Sequence, residues 1–138
     1  MIKLYTSASC TSCRKAKSWL IEHGIEYKEI NVVHRKLTIQ ELQEILRMTE
    51  AGIDEVVSRR SKIYQELGLN MEELTVQKLL QIIREYPTLL KRPILIDEKR
   101  IQVGFHEEEI RRFLPRPSRR KKTGATVGLI YTLYGRTI

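Results

Sequence analysis

An α/β fold built on a mixed four-stranded sheet is what this sequence predicts, on three observations. A short apolar run, Ile2-Lys3-Leu4-Tyr5, is followed by a helical pattern and then a second strand-like run. All three lie within about thirty residues, the length of a β-α-β unit whose strands run parallel with a right-handed crossover. Two later runs, 92–97 and 101–105, flank a charged turn and read as an antiparallel hairpin. Between these strand pairs, residues 38–86 carry helical periodicity, so the sheet has a helical block inserted into it.

Taken in order, Ile2 to Tyr5 is a buried strand and Thr6 to Ser9 a loop of small polar residues. A helix runs from about Cys10 to His23 and stops at Gly24, which suits the left-handed position after a helix end. Ala16, Trp19, Leu20 and Ile25 form its apolar side. Tyr27 to Val33 is the second strand. Thr38 and Glu41 make a capping box for a helix carrying Ile39, Leu42, Ile45 and Leu46. Gly52 breaks that pattern, and Ile53, Val56 and Val57 make a short turn. Ser61 to Leu67 and Thr75 to Tyr86 are two more helices, and Pro87 ends the block. Arg92 to Asp97 is a strand that starts through Pro93, and Ile101 to Phe105 pairs back on it. Glu107, Glu108 and Glu109 load the first turn of a last helix, where negative charge suits the dipole, with Ile110, Phe113 and Leu114 on its buried face.

The chain has 138 residues, enough for one domain with a modest core. It has no apolar run of membrane-spanning length, and its N-terminus has no signal-peptide anatomy, so a cytoplasmic location with no membrane partner is expected. The formal net charge is +8, but it is unevenly placed. From Pro115 onward there are six basic and no acidic residues, which leaves 19 basic against 17 acidic before that point. We therefore divide the chain into a domain at 1–116, with the helical insert at about 38–86, and a basic tail at 117–138. Such a tail attracts nucleic acid or an acidic partner, or is simply a solvated extension.

The chemistry is concentrated in Ser9-Cys10-Thr11-Ser12-Cys13-Arg14-Lys15, which holds both cysteines of the protein. A Cys-x-x-Cys pair opening a helix after a strand reads as a redox motif, because the free N–H groups and the helix dipole favour a thiolate. Cys10 should be the more exposed sulfur of lower pKa, with Cys13 a turn further in. Closing so short a loop removes only about 2 kcal/mol of chain entropy, which suits a reversible switch better than a staple. Two other readings are half of a zinc site and two inert cysteines. Zinc would need two more ligands, and the histidines are His23, His34 and His106, with no second cysteine pair; neither a metal nor a cofactor is expected.

This order of elements, with a proline opening the third strand beside the cysteines, is that of the thioredoxin-like fold, in which the bond before that proline is commonly cis. The sequence also resembles the Spx family of thiol-sensing transcription regulators of low-GC Gram-positive bacteria, within the arsenate-reductase-like (ArsC) family. The resemblance runs over roughly residues 1–116. It rests on Leu4-Tyr5-Thr6-Ser7, Ser9 to Ala16, Ile45-Leu46-Arg47-Met48-Thr49-Glu50, Gly52 with Asp54-Glu55, Arg59-Arg60-Ser61-Lys62, the stretch from Arg92 to Gly104, and Glu109 to Pro115.

The resemblance implies a redox-sensing regulator of thiol- and oxidative-stress genes, not an enzyme. It implies that a disulfide between Cys10 and Cys13 is the switch, that Arg92, beside Pro93, is tied to the redox state, and that the C-terminal domain of the RNA polymerase α subunit is the partner. Gly52 is the implied contact with that domain, and Arg47, Arg60 and Lys62 are candidate contacts near it. Promoter DNA is implied only as part of the polymerase complex, and the ClpXP protease with its adaptor as a route of degradation. Two departures matter. Gly104 is followed by Phe105 where an arsenate reductase of this family uses an arginine, and the tail differs from the expected family C-terminus. The alternative function is a small thiol–disulfide oxidoreductase or an arsenate-reductase-like enzyme.

Overall fold

The computed structural model describes residues 1–115. The basic tail assigned to 117–138 lies outside them. The sheet starts with β1 (Ile2–Thr6), whose residues are nearly all buried because it is flanked on both sides. The other strands are β2 (Tyr27–Asn31), β3 (Ile94–Ile96) and β4 (Ile101–Val103), and the order across the sheet is β2-β1-β3-β4. β1 pairs parallel with β2, setting Ile2 against Tyr27 and Tyr5 against Ile30. It pairs antiparallel with β3, setting Leu4 against Leu95, and β3 pairs antiparallel with β4, setting Leu95 against Gln102. The expected parallel pair, hairpin and mixed sheet are all present.

Because side chains alternate along a strand, this register divides the apolar residues into two cores, one on each face. Ile2, Leu4 and Leu95 meet Ala16, Trp19 and Leu20 of α1 (Thr11–Glu22), and Ile110 and Phe113 of a 3-10 turn at Glu109–Phe113. Tyr5, Ile30, Ile94 and Ile96 meet the helical insert through Leu42 and Ile45 of α2 (Ile39–Met48) and Leu79, Leu80 and Ile83 of α4 (Val76–Glu85). The insert also holds a 3-10 turn at Gly52–Glu55 and the short α3 (Lys62–Leu67). It is tied to the chain ahead of β3 by backbone bonds from Ser58 N–H to the Leu89 carbonyl and from Lys91 N–H to the Val56 carbonyl, each 2.7 Å.

Four elements differ from expectation, one of them the fourth strand, which ends at Val103, two residues short of Phe105, where Gly104 at φ +87° turns the chain. The second strand ends at Asn31, two residues early, because the Asn31 side chain accepts the Val33 and His34 N–H groups at 3.0 and 3.1 Å and turns the chain. The third strand shortens to Ile94–Ile96, with Arg92 and Pro93 forming the turn into it. The last helix is a 3-10 turn at Glu109–Phe113. Its two buried residues, Ile110 and Phe113, are three apart, the 3-10 repeat, and Pro115 stops further winding.

The capping box of α2 forms as expected and is reinforced from outside the helix. Glu41 accepts the Thr38 N–H at 2.8 Å and is held by both terminal nitrogens of Arg35, at 3.0 and 2.7 Å. The hydrogen bonds from Arg35 are the largest cause of a Glu41 pKa pulled down to about 2, against the opposing effect of burial. The depressed value fixes the sign. This stabilisation is full above the unfolded carboxylate pKa of about 4.3, and it is lost as pH falls toward 2. A Glu41→Ala chain is expected to lose about 1 kcal/mol at pH 6, and the gap in urea midpoint between it and the parent should narrow at pH 3.

Candidate functional site

The site is built where three segments meet: the start of α1, the turn into β3, and the 3-10 turn of the insert. Cys10 is the N-cap of α1, in extended backbone conformation, and its sulfur accepts the Cys13 N–H at 3.1 Å. That bond satisfies one of the free N–H groups of the first turn and favours negative charge on Cys10 Sγ. Cys13 is inside, at 2 % exposure, while Cys10 is only partly buried. The two sulfurs are at disulfide distance, with the Cα atoms 5.1 Å apart, within the ordinary range for a bridge. Exposure therefore orders the two cysteines as the sequence predicts, with Cys10 the one a reagent reaches first.

The Arg92–Pro93 peptide bond is cis, and Pro93 is buried. Cys10 Sγ lies 3.9 Å from the Arg92 carbonyl oxygen, so a reduced Cys10 thiol has an acceptor there that a disulfide sulfur cannot use. The Arg92 side chain takes another course. It lines a cavity of about 530 Å³ together with Glu55 and Ser58 of the insert, Lys91, and Arg112 of the last 3-10 turn. Burial lowers its pKa from the ordinary guanidinium value, and its buried Nε has no hydrogen-bond partner among the described residues. Arg92 thus joins the two predicted sites. Its carbonyl touches the cysteine end, and its side chain shares a cavity with Glu55, the last residue of the Gly52–Glu55 turn.

Gly52 has φ +81°, a left-handed conformation that L side chains rarely adopt, and a Cβ placed on it would meet no atom of the described residues within 4 Å. The Gly52–Glu55 turn is braced by Glu55, which accepts the Ala51 N–H at 3.0 Å, and by an Asp54–Arg59 ion pair at 2.7 Å. Arg47, Arg60 and Lys62 are all exposed on the segments that flank it, and among the described residues Lys62 has a long 3.8 Å ion pair to Glu66. The structure therefore brings Cys10, Cys13, Arg92 and Pro93 together as one cluster and places Gly52, Arg47, Arg60 and Lys62 along the 47–62 stretch.

The sequence reading did not single out Glu55, Ser58, Lys91 or Arg112 for the cavity. Their juxtaposition depends on the backbone bonds between 56–58 and 89–91, which no local pattern announces. Among the described residues no group of three or more His, Cys, Asp and Glu side chains is placed to hold a metal ion, and no helix is long and apolar enough to cross a membrane.

Comparison with known proteins gives a consistent result. The model of the ArsC family matches residues 5–113. The global transcriptional regulator Spx 1 of Bacillus cereus is 60% identical over 119 residues, which covers 86% of this chain and 91% of the relative. The global transcriptional regulator Spx of Bacillus subtilis is 57% identical over 119 residues, with the same two coverages of 86% and 91%. Among solved structures, an ArsC-family-related protein from Bacteroides fragilis superposes with a TM-score of 0.73 at 27% identity, over 80% of this chain and 95% of that one.

Proposed function

The chain belongs to the ArsC family, among its Spx regulators, and from that premise we propose that it is a redox-switched transcription regulator acting through the C-terminal domain of the RNA polymerase α subunit. The observation that carries the reading is the double role of Arg92, whose carbonyl faces Cys10 Sγ while its side chain shares a cavity with the turn that begins at Gly52. Oxidation of the two thiols gives up two protons and two electrons to an oxidant such as a peroxide or diamide and forms the Cys10–Cys13 bond. Cys10 then has no proton to offer the Arg92 carbonyl, so the turn before β3 lacks a hydrogen bond that the reduced form can make. Lys91 N–H is bonded to the Val56 carbonyl, so movement of 91–93 bears directly on the segment after Gly52.

In this reading Gly52 lets a partner approach the backbone closely, and Arg47, Arg60 and Lys62 supply positive charge around it. Charges of this kind speed encounter more than they hold the complex. DNA is met only within the polymerase complex. Degradation through the ClpXP protease and its adaptor is a further partner proposal, and a signal for it in 117–138 falls outside the described residues. The relatives are named as regulators, which favours a binding protein over an enzyme.

The test is binding of the full chain, reduced and diamide-oxidised, to the isolated α C-terminal domain by calorimetry. Binding of both forms, with an altered outcome at a thiol-stress promoter on oxidation, is the expected result. No binding of either form would sink the proposal. The oxidoreductase alternative would instead give steady turnover in a dithiol-coupled assay, lost on Cys10→Ser.

A further inference from the structure

A second concavity, of about 450 Å³, runs along the outer side of α1 between that helix and the chain after β4. Its floor is apolar, made of Trp19 and the partly buried Phe105, and Ile21, two turns on from Arg14 of the wall, is 65 % exposed. Arg14 and Lys15 stand near the start of the helix and Glu22 at its end, with Glu107 also lining the groove. Neither Glu22 nor Glu107 is in an ion pair among the described residues. The chain leaves the described residues on this side of the sheet, because Leu114, at 2 % exposure, packs in one core with Trp19 and is followed by Pro115. The sequence that comes next complements the groove. Arg119, Arg120, Lys121 and Lys122 form a basic run, and an uncharged stretch from Thr123 to Gly135 follows, with Val127, Leu129, Ile130 and Tyr131 in it.

We propose that the chain's own tail occupies this groove, with the basic run 119–122 against Glu22 and Glu107 and the apolar residues 127–131 over Trp19 and Phe105. The charges set the direction. Arg14 and Lys15 repel the basic run from the start of the helix, so the run sits at the Glu22 end and the uncharged stretch follows the floor. The lengths agree. Extended, residues 127–131 cover about 16 Å, and the twelve residues of α1 rise about 18 Å. The contact need not be strong to form. A segment tethered to its own site by a short linker acts at an effective concentration near millimolar, and the entropy of closing the loop grows only slowly with its length. The tail and the α1 face are then hidden together, so a partner that reads the basic run must first lift it from the groove. This inference goes beyond the switch reading and does not depend on it.

The test is amide hydrogen exchange of the full chain, read on residues 127–131, with a synthetic peptide of residues 116–138 giving the unprotected rates. In the parent these amides should exchange about tenfold more slowly than in the peptide, as burial of one leucine-sized side chain implies. The double variant Glu22→Lys, Glu107→Lys should lose about threefold of that protection, the worth of two exposed ion pairs. Adding Arg119→Glu, Arg120→Glu, Lys121→Glu and Lys122→Glu to that variant reverses both partners and should return most of the loss. Leu129→Asp with Ile130→Asp should bring the tail to the peptide rate while the melting temperature stays at the parent's. Peptide rates in the parent would overturn the proposal. So would a protected tail that the Glu22 and Glu107 changes leave untouched, which would place it on another surface. Protection that rises with protein concentration would mean that a second copy supplies the tail, and it would overturn the contact within one chain.

Discussion

A Gly52→Arg chain is expected to stay folded and to lose binding to the polymerase α C-terminal domain by more than a hundredfold, about 2.7 kcal/mol. The two halves of this expectation have separate physical grounds. Gly52 sits at φ +81°, so any L side chain there adds roughly 1–2 kcal/mol of backbone strain. That is a modest part of the roughly 5–15 kcal/mol that stabilises a domain of this size. No atom of the described residues lies within 4 Å of a Cβ at this position, so the arginine side chain extends outward without displacing them. Loss of binding would then report the surface, not the interior. Gly52→Ala is the control, because it carries the same strain with a single methyl group. Its affinity should stay within about threefold of the parent. Native-like binding by Gly52→Arg would remove Gly52 from the interface.

What could be read in the sequence, and what could not, follows from the range of the forces involved. The redox motif is local: Cys10, Cys13 and the helix start all lie within one turn, and the N-cap bond to Cys10 Sγ forms from that turn alone. The capping box at Thr38 and Glu41 is likewise a local pattern of spacing. The tertiary placement of Arg92 was only half legible. Its position before a proline pointed to the cysteines, and its carbonyl is there, but its side chain goes to a cavity formed by Glu55, Ser58 and Arg112 from distant segments. The errors at element ends have the same origin. Asn31 looked like strand and acts as a turn former, and the run Glu107 to Leu114 looked like helix until Pro115 and the three-residue spacing of Ile110 and Phe113 are weighed together.

Leu95→Ala is expected to have the largest effect on stability, about 3–4 kcal/mol, seen as a fall in melting temperature of roughly 10–20 °C. Leu95 is fully buried at the middle of β3, directly opposite Leu4 of β1 and Gln102 of β4. Around it pack Leu20 of α1 and Ile110 and Phe113 of the last 3-10 turn, so the truncation opens a void shared by three separate segments. Such a site cannot collapse around the missing atoms, because the sheet hydrogen bonds fix the backbone on both sides. Tyr5 gives the contrast within the same sheet. It is fully buried on the opposite face, and its hydroxyl is buried with no hydrogen-bond partner among the described residues, while burial raises its pKa and keeps it protonated. Removing that oxygen relieves an unmet desolvation penalty, so Tyr5→Phe should leave stability unchanged or raise it by up to about 1 kcal/mol. A Tyr5→Phe chain less stable than the parent would mean that the hydroxyl has a partner, such as a buried water, and a Leu95→Ala loss below about 1 kcal/mol would mean that the core on the α1 face repacks.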